Sequence, residues 1–273
     1  MKVLTGDPGF WGPAPGSGTA LTVGVFDGVH LGHQALLTEL RGIAAAEGLE
    51  TVVVTFDVHP KRFFDPDGGP TLLVSLSRRL ELLEEAGVDQ VGVLPFADIR
   101  TWGPDQFVRR VMVDGFRARS VLVGEGFRYG AGRAGNQATL KASGQEHGFS
   151  VRATPLLQGG SAPVSSSTIR GHIAAGEVKE AAELLGRPHE IAGTWVAIIK
   201  PKGIKVKVDR CPISVPEPGL YYVGVKAGDE GFAGICRIPP VKKHFEVHPF
   251  GMEAYLRKRP KRLTMSFVGR IKG

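Results

Sequence analysis

The chain has 273 residues, 42% of them hydrophobic, and a formal net charge of +7. This length exceeds the usual size of one domain, so we expect two domains with ordinary buried cores. No apolar run approaches the roughly 20 residues of a transmembrane helix, and residues 1–18 lack the apolar segment of a signal peptide. Because Cys211 and Cys236 are too few for a disulfide framework, we expect a reduced, cytoplasmic protein.

The charge is spread unevenly along the chain. Residues 1–186 hold 17 Lys/Arg against 20 Asp/Glu, whereas residues 187–273 hold 17 against 7, so their net charges are −3 and +10. The densest basic run is "RKRPKR" at 257–262. Such a run can bind nucleic acid or a phosphorylated ligand, but it can equally be a solvated surface. Because no zinc-knuckle or RNP-type aromatic pattern accompanies it, we do not expect nucleic acid as a partner.

Up to residue 186, short apolar runs alternate with segments of helical spacing. The strand-like runs are 20–26, 51–56, 90–96, 120–124 and 149–157. The helical segments are 33–48, 76–87, 103–116 and 137–148. Strands separated by helices predict right-handed crossovers and a parallel sheet, whose ligands bind at the carboxyl ends of the strands.

The pattern changes inside "LLGRPHEIAG", residues 184–193. The segments 190–211 and 219–228 either alternate polar and apolar residues or run through β-branched ones, with Gly and Pro at the turns. This pattern predicts a small antiparallel barrel or sandwich. We therefore place the domain boundary between residues 186 and 187.

Two histidines stand where the first strand becomes a helix, in "GVFDGVHLGH" at 24–33. His30 and His33 are three residues apart and can share one face of the helix start, where free N–H groups and the dipole favour an anion. Gly28 and Gly32 would let the backbone approach a bulky ligand. A polyphosphate site and a purely structural role both fit this spacing. A zinc site would need a third ligand, for which His59 is available.

This stretch resembles the HxGH signature of the nucleotidylyltransferase superfamily, in the form used by bacterial FAD synthetases. These are the adenylyltransferase modules of bifunctional riboflavin kinase/FMN adenylyltransferases. Three further segments are similar to motifs of that family and occur in the same order: "TFDVHPKR" at 55–62, "VLVGEGFRYGAGRAGN" at 121–136 and "VSSSTIR" at 164–170. The resemblance implies a Rossmann-like nucleotidylyltransferase domain with a parallel sheet, followed by a β-barrel domain.

The implied reaction converts ATP and FMN to FAD and pyrophosphate, with Mg²⁺ bridging the phosphates. The implied catalytic residues are His30, His33 and Arg170. The implied nucleotide contacts are Gly24, Phe26, Gly32, Ser165, Ser166 and Ser167. The implied flavin contacts are Asp57, His59, Pro60, Gly124, Phe127 and Tyr129. A structural histidine at position 59 and plain core aromatics at 127 and 129 are the alternative interpretations.

The sequence departs from the family pattern at three positions of these motifs. Val58 replaces a proline, Gly126 stands where the family often has asparagine, and Ser167 replaces threonine but keeps a hydroxyl. The first two departures motivate a second hypothesis, in which the acceptor is a modified flavin or another phosphorylated metabolite. We expect ATP and FMN as small-molecule partners and no membrane association; the sequence does not indicate an oligomeric state.

The second domain resembles the riboflavin kinase barrel only in part. "HFEVHPF" at 244–250 is similar to the segment with the catalytic Glu of the kinase, which would be Glu246. The GFPTAN segment that binds ATP and magnesium is missing between Ala197 and Ile213, and a later motif is reduced to "CRIPPVKK" at 236–243. We therefore expect a kinase-inactive barrel. The alternatives are a bifunctional enzyme and, from another class, a flavin- or nucleic-acid-binding regulator.

Overall fold

The computed structural model describes residues 1–11, 18–155, 157–159, 162–199, 203–209, 212–241, 244–251 and 261–271. Packing divides the chain into two compact units. The first unit contains residues 1–70 and 76–158, and the second contains residues 71–75 and 159–273. The predicted boundary at 186/187 precedes the first barrel strand, which begins at His189, whereas the packing groups residues 159–186 with the barrel.

The first unit is built on a six-stranded parallel sheet in the order β1-β4-β3-β2-β5-β6. Its strands are β1 (Lys2–Thr5), β2 (Thr19–Val23), β3 (Glu50–Phe56), β4 (Gln90–Leu94), β5 (Ala118–Gly124) and β6 (Ser150–Thr154). The predicted parallel sheet is confirmed. Strand β1 lies in the N-terminal arm, where the sequence analysis placed no strand.

The helices of the first unit are α1 (Leu31–Glu47), α2 (Pro60–Phe64), α3 (Leu76–Glu85), α4 (Phe96–Ile99), α5 (Pro104–Phe107) and α6 (Gln137–His147). Short 3₁₀ turns span Pro8–Phe10 and Ala131–Arg133. Helix α1 buries one stripe, Leu37, Leu40, Ile43 and Ala44, and ends at Gly48 with φ 65°. The helix predicted over 103–116 begins as α5 and continues as a π-helix over Val108–Gly115.

The core of the first unit lies around the central strands, and β2 is buried along its whole length. Because the strand is buried on both faces, its sequence TALTV shows no strict alternation of polar and apolar residues. Close packing explains Gly92 in β4, because a Cβ there would lie 2.8 Å from the Trp11 ring and 2.9 Å from Phe116. Those two aromatic rings contact each other with their centroids 5.0 Å apart and their planes tilted by 48°.

The second unit is a closed antiparallel barrel in the order β10-β13-β12-β11-β14-β9. Two-residue strands β7 (Gln158–Gly159) and β8 (Ala162–Pro163) and helices α7 (Ser166–Ala174) and α8 (Val178–Leu185) precede it in the chain. The barrel strands are β9 (His189–Ile199), β10 (Gly203–Val208), β11 (Gly219–Ala227), β12 (Glu230–Ile238), β13 (His244–Pro249) and β14 (Arg262–Ile271). The predicted barrel is confirmed. No helix in the part of the chain that the structure describes is long and apolar enough to cross a membrane.

Candidate active site

Three of the motifs singled out in the sequence lie at one edge of the parallel sheet. Because the strands are parallel, their carboxyl ends meet at the same edge, and β3 and β5 flank β2 on either side. Residues 24–33 follow β2, residues 57–60 follow β3, and residues 124–129 lie at the end of β5 and beyond it. This is the edge at which ligands bind in open α/β sheets.

The turn before α1 has an unusual backbone. Phe26, Gly28 and Val29 have φ angles of 51°, 86° and 40°, and the Val29 N–H donates to the Phe26 carbonyl at 3.1 Å. A β-branched residue in the left-handed region is an outlier that costs of order 1–3 kcal/mol, and such strain concentrates at functional sites. Gly24 makes room for the buried Phe26, since a Cβ at position 24 would lie 3.0 Å from that ring.

His30 and His33 form a stacked pair at the start of α1. Their ring centroids are 3.7 Å apart with an interplanar angle of 20°, and the Phe26 ring lies 4.9 Å from His33. His30 is the N-cap residue of α1, with extended φ and ψ of −69° and 172°, and its side chain makes no capping hydrogen bond. The N–H groups of the first turn are therefore left for other acceptors. Gly32 lies between the two histidines.

The electrostatic surroundings keep His33 neutral at pH 7. Burial is the main cause that lowers the pKa of His33 well below its usual value of 6.5, and the nearby His30 and Arg79 lower it further. The Nδ1 atom of His33 is buried and has no hydrogen-bond partner among the described residues. An anion brought to this ring would raise its pKa again, because a nearby negative charge favours the imidazolium form.

Arg79 is a buried charged residue near the site that the sequence analysis did not identify. It is 1% exposed, and its Nη1 donates to Thr55 Oγ1 at 3.1 Å and to the Phe56 carbonyl at 3.0 Å, at the end of β3. The Thr55 hydroxyl in turn donates to the Val25 carbonyl in the turn before α1 at 3.0 Å. The sequence does contain a sign that Arg79 is special. It lies on the same helical face as Leu82 and Leu83, where an apolar residue is expected.

Asp57, His59 and Pro60 all have local structural contacts. Asp57 Oδ1 accepts from the N–H groups of Val58 at 2.7 Å and Phe96 at 2.9 Å, which joins the ends of β3 and β4. His59 is the N-cap of α2 and its Nδ1 accepts from the Lys61 N–H at 3.1 Å, which places its proton on Nε2. Pro60 is the first residue of that helix. Flavin contacts by these residues remain a prediction.

The aromatic residues of the site fall into two groups. Phe127 stacks on Tyr129 with centroids 5.5 Å apart and an angle of 14°, and Tyr129 is a core residue, 5% exposed, whose pKa is raised by burial. Gly124 and Gly126 are open positions where a Cβ would meet nothing within 4 Å. The second group was not expected: Phe63, Phe64 and Phe96 lie edge to face, with centroids 5.4–5.8 Å apart.

In the second unit, the three serines of the "VSSSTIR" segment lie at the start of a helix. Ser165 is the N-cap of α7, and its Oγ accepts from the Thr168 N–H at 3.1 Å. Ser166 and Ser167 begin the helix, and the Arg170 guanidinium donates to Ser167 Oγ at 3.3 Å. The only side chains that the structure describes as buried on α7 are Ile169 and Ile173, so the hydroxyls and Arg170 lie off its buried stripe.

Glu246 lies on the outer face of the barrel, where it pairs with Arg237. Its Oε2 accepts from Arg237 Nη1 at 2.9 Å, and the ladder places Lys205 opposite it on the other side. The missing GFPTAN segment is replaced by an antiparallel pairing in which Gly203 of β10 faces Ile199 of β9. Cys236 is a free buried thiol whose pKa is raised to about 12, whereas Cys211 and residues 257–260 of the basic run lie outside the described residues.

Among the described residues, no group of three or more His, Cys, Asp or Glu side chains could hold a metal ion. The zinc alternative therefore has no ligand set within those residues.

The amino-acid sequence of the chain is similar to those of known proteins. The family model described as FAD synthetase matches residues 13–168. The chain is 34% identical over 271 residues to the bifunctional riboflavin kinase/FMN adenylyltransferase of Pseudomonas fluorescens, covering 93% of this chain and 85% of that protein. It is 35% identical over 184 residues to the protein of that name from Escherichia coli K12, covering 67% of this chain and 59% of that protein.

A solved structure shares the whole fold. The crystal structure of a macrolide-efflux protein from Streptococcus pneumoniae matches with a TM-score of 0.85 at 21% identity, covering 100% of this chain and 91% of that one. At this identity the likeness concerns the fold alone. The family model, which matches more than half of the chain, and the relative from P. fluorescens show that the chain belongs to the FAD synthetase family.

Proposed function

We propose that this protein is an FMN adenylyltransferase that makes FAD and pyrophosphate from ATP and FMN. The observation that carries the proposal is the stacked pair of His30 and His33 at the start of α1, held by a strained turn at the carboxyl edge of the sheet. In an FAD synthetase family member, this is the arrangement expected for binding and polarising nucleotide phosphates.

The chemistry asks mainly for positioning and charge stabilisation. An oxygen of the FMN phosphate attacks the α-phosphorus of ATP and forms the new P–O bond. The bond from the α-phosphorus to the oxygen that bridges it to the β-phosphorus breaks, and pyrophosphate leaves with that electron pair. Since a phosphate monoester is already an anion at neutral pH, the attack needs no strong general base. The protein supplies alignment and groups that meet the developing negative charge.

His30 and His33 are assigned to the charge on the α-phosphate. In the free protein His33 is neutral, because burial, His30 and Arg79 all lower its pKa. The negative charge of ATP opposes these effects, so binding favours uptake of a proton that strengthens the contact in the transition state. Arg79 provides a permanent positive charge behind the pair and fixes the turn through Thr55. The N–H groups at the start of α1, around Gly32, are assigned to the nucleotide. Gly24 is assigned to it as a small residue at the end of β2, since its own N–H already donates to the Val54 carbonyl at 3.0 Å.

Residues of α7 complete the proposed nucleotide contacts. Ser165, Ser166 and Ser167 would donate to the β- and γ-phosphates, and Arg170 would neutralise the departing pyrophosphate. This assignment rests on the family motif and on the capped helix start. Magnesium belongs to the proposal as the ion that ATP brings on its phosphate oxygens, which are the hard ligands it prefers.

The flavin is assigned to the loops that follow β3 and β5. Phe63, Phe64 and Phe96 offer flat apolar surface, and Phe64 is 69% exposed, which is unusual for a phenylalanine of a core. Phe127 rests on Tyr129 and could form an opposite wall. The Nε2–H of His59 is suited to a phosphate oxygen of FMN, since its Nδ1 is already engaged by Lys61.

The barrel is proposed to lack riboflavin kinase activity. A kinase base must accept a proton from the flavin hydroxyl, but Glu246 is held by Arg237 at 2.9 Å and faces Lys205. The pairing of β9 with β10 takes the place of the loop that would hold MgATP. Phosphoryl transfer depends on placing magnesium and the γ-phosphate, which a carboxylate alone does not achieve.

One assay tests both parts of the proposal. The purified full-length protein is incubated with MgATP and either FMN or riboflavin, and the flavin products are separated by chromatography. We expect FAD from FMN and no FMN from riboflavin. If riboflavin is phosphorylated, the bifunctional alternative replaces the kinase-inactive barrel. If FMN is not adenylylated, a different phosphorylated acceptor, motivated by Val58 and Gly126, replaces the proposed one.

A further inference from the structure

A five-residue segment leaves the first unit and packs in the second. Residues 71–75, Thr-Leu-Leu-Val-Ser, stand between α2 and α3 in the chain, and these helices belong to the first unit. Residues 71–75 themselves pack with α7, α8 and the barrel. We call this segment the strap. Nothing in its sequence distinguishes it from an ordinary apolar connection.

Backbone and side-chain hydrogen bonds hold the strap on the segment before β11. The Leu72 N–H donates to the Pro212 carbonyl and the Ser214 N–H donates to the Leu72 carbonyl, both at 2.7 Å. The hydroxyls of Thr71 and Ser214 are also 2.7 Å apart. The Ser214 carbonyl accepts from Nε2 of the buried His189 at 2.7 Å, so the strap's partner is itself fixed to β9.

The strap also packs an apolar side chain against helix α7. Leu73 is fully buried in one apolar cluster with Ile169 and Ile173 of α7 and with Ala181 and Leu185 of α8. Helix α7 has nine residues, a length at which a helix in water depends on tertiary packing. Ile169 and Ile173 are its buried side chains, and Arg170 is adjacent to the first of them.

We propose that the strap positions α7, and with it Ser165, Ser166, Ser167 and Arg170, for binding the ATP phosphates. The inference rests on the proposed function, because it takes those four residues as phosphate contacts. Leu73 and the Thr71–Ser214 pair act through α7, and they are positioning residues. A shift of about 1 Å in such contacts can cost on the order of a hundredfold in rate, so the packing under a short helix has a direct effect on the chemistry.

The test compares truncation and volume-conserving variants of Leu73. Leu73→Ala should raise both the Kd and the KM for ATP about tenfold, while Leu73→Met should stay within about twofold of wild type because it keeps the core volume. The affinity for FMN, measured by quenching of its fluorescence, should change less than about twofold in either variant, since FMN is not a ligand of α7. Leu263→Ala is the matched control, because Leu263 is a fully buried leucine of the barrel core outside this cluster.

A second variant keeps the test decisive if Leu73→Ala does not fold. Thr71→Val keeps the side-chain shape and removes the hydroxyl that meets Ser214, so it should weaken ATP binding about threefold with FMN binding unchanged. The strap proposal is overturned if ATP binding is unaffected in the folded variants, or if Leu263→Ala weakens it equally at equal loss of stability. Absence of FAD formation by the wild-type protein would instead count against the proposed function, while the directly measured Kd for ATP would still decide the role of the strap.

Discussion

His33 of the parallel-sheet unit and His189 of the barrel unit both have a pKa lowered mainly by burial. His189 donates its Nε2–H to the Ser214 carbonyl at 2.7 Å, whereas the buried Nδ1 of His33 has no partner among the described residues. The hydrogen bond of His189 satisfies its ring within the fold. The Nδ1 atom of His33 is left for a ligand at the edge of the sheet where one is expected.

In each unit, one carboxylate that a family motif suggests as a functional group makes structural contacts instead. Asp57, in a loop of the predicted active site, ties two strand ends through the N–H groups of Val58 and Phe96. Glu246, the predicted remnant of a kinase site, is paired with Arg237 on the outer surface. A motif match thus identifies a residue, but its hydrogen-bond partners decide whether the side chain is available for chemistry.

The largest effect is expected from removing the stacked histidines. His30→Ala and His33→Ala should each lower FMN adenylylation by about two orders of magnitude or more, in line with loss of a donor to the transition state. His147→Ala is the control, because His147 is a partly exposed histidine on α6 next to Glu146. Steady-state rates and circular dichroism are measured together. Wild-type turnover of the folded His33→Ala variant would contradict the assignment.

The barrel histidine should affect stability and not turnover. The pKa of His189 falls from 6.5 to about 4 on folding, so the folded state binds its proton less tightly than the unfolded state. Neutral His189 therefore makes its full contribution to the free energy of unfolding above about pH 6.5. This contribution, roughly 3 kcal/mol in total, is lost as the pH falls towards about 4.

His189→Gln isolates this contribution. Glutamine can donate to the Ser214 carbonyl but does not titrate, so urea unfolding of the variant should lack this part of the acid dependence. The difference in unfolding free energy between wild type and variant is measured at pH values from 7 to 4. Parallel pH profiles would show that His189 does not titrate as its burial implies.

A smaller loss is expected when Arg170 is replaced by lysine. Arg170→Lys keeps the charge but loses the planar fork, so kcat/KM for ATP should fall about tenfold while FMN affinity is retained. Arg109→Lys serves as control, since the Arg109 side chain is 75% exposed on the π-helix. Equal losses of FMN affinity and of rate would instead assign Arg170 to the flavin.

The smallest effect is expected at Glu246. Glu246→Gln should leave FMN adenylylation within about twofold and change stability by less than about 1 kcal/mol, because a partly exposed ion pair contributes little. Riboflavin phosphorylation should be undetectable before and after the change. Detectable FMN formation from riboflavin that the variant abolishes would restore Glu246 as a catalytic base.

Much of the fold could be predicted because local pattern and tertiary packing agree. The parallel strands β2 to β6 and helices α1, α3 and α6 lie where apolar period, glycine stops and caps predicted them. Strand β1 was missed because it is four residues long with an exposed burial pattern, so that its pairing with β4, and not its composition, makes it a strand. The π-helix likewise depends on how Val108–Gly115 packs, since its spacing is that of an ordinary helix.

The sequence by itself determined the two histidines at a helix start and the change from parallel to antiparallel architecture. These features depend on residues close in the chain, whose spacing sets their geometry. Only the tertiary structure decided that Arg79 is near enough to lower the pKa of His33, that Glu246 is held by Arg237, and that residues 71–75 pack with α7. Each of these contacts joins elements far apart in the chain, and a local pattern carries no information about which distant surface will cover it.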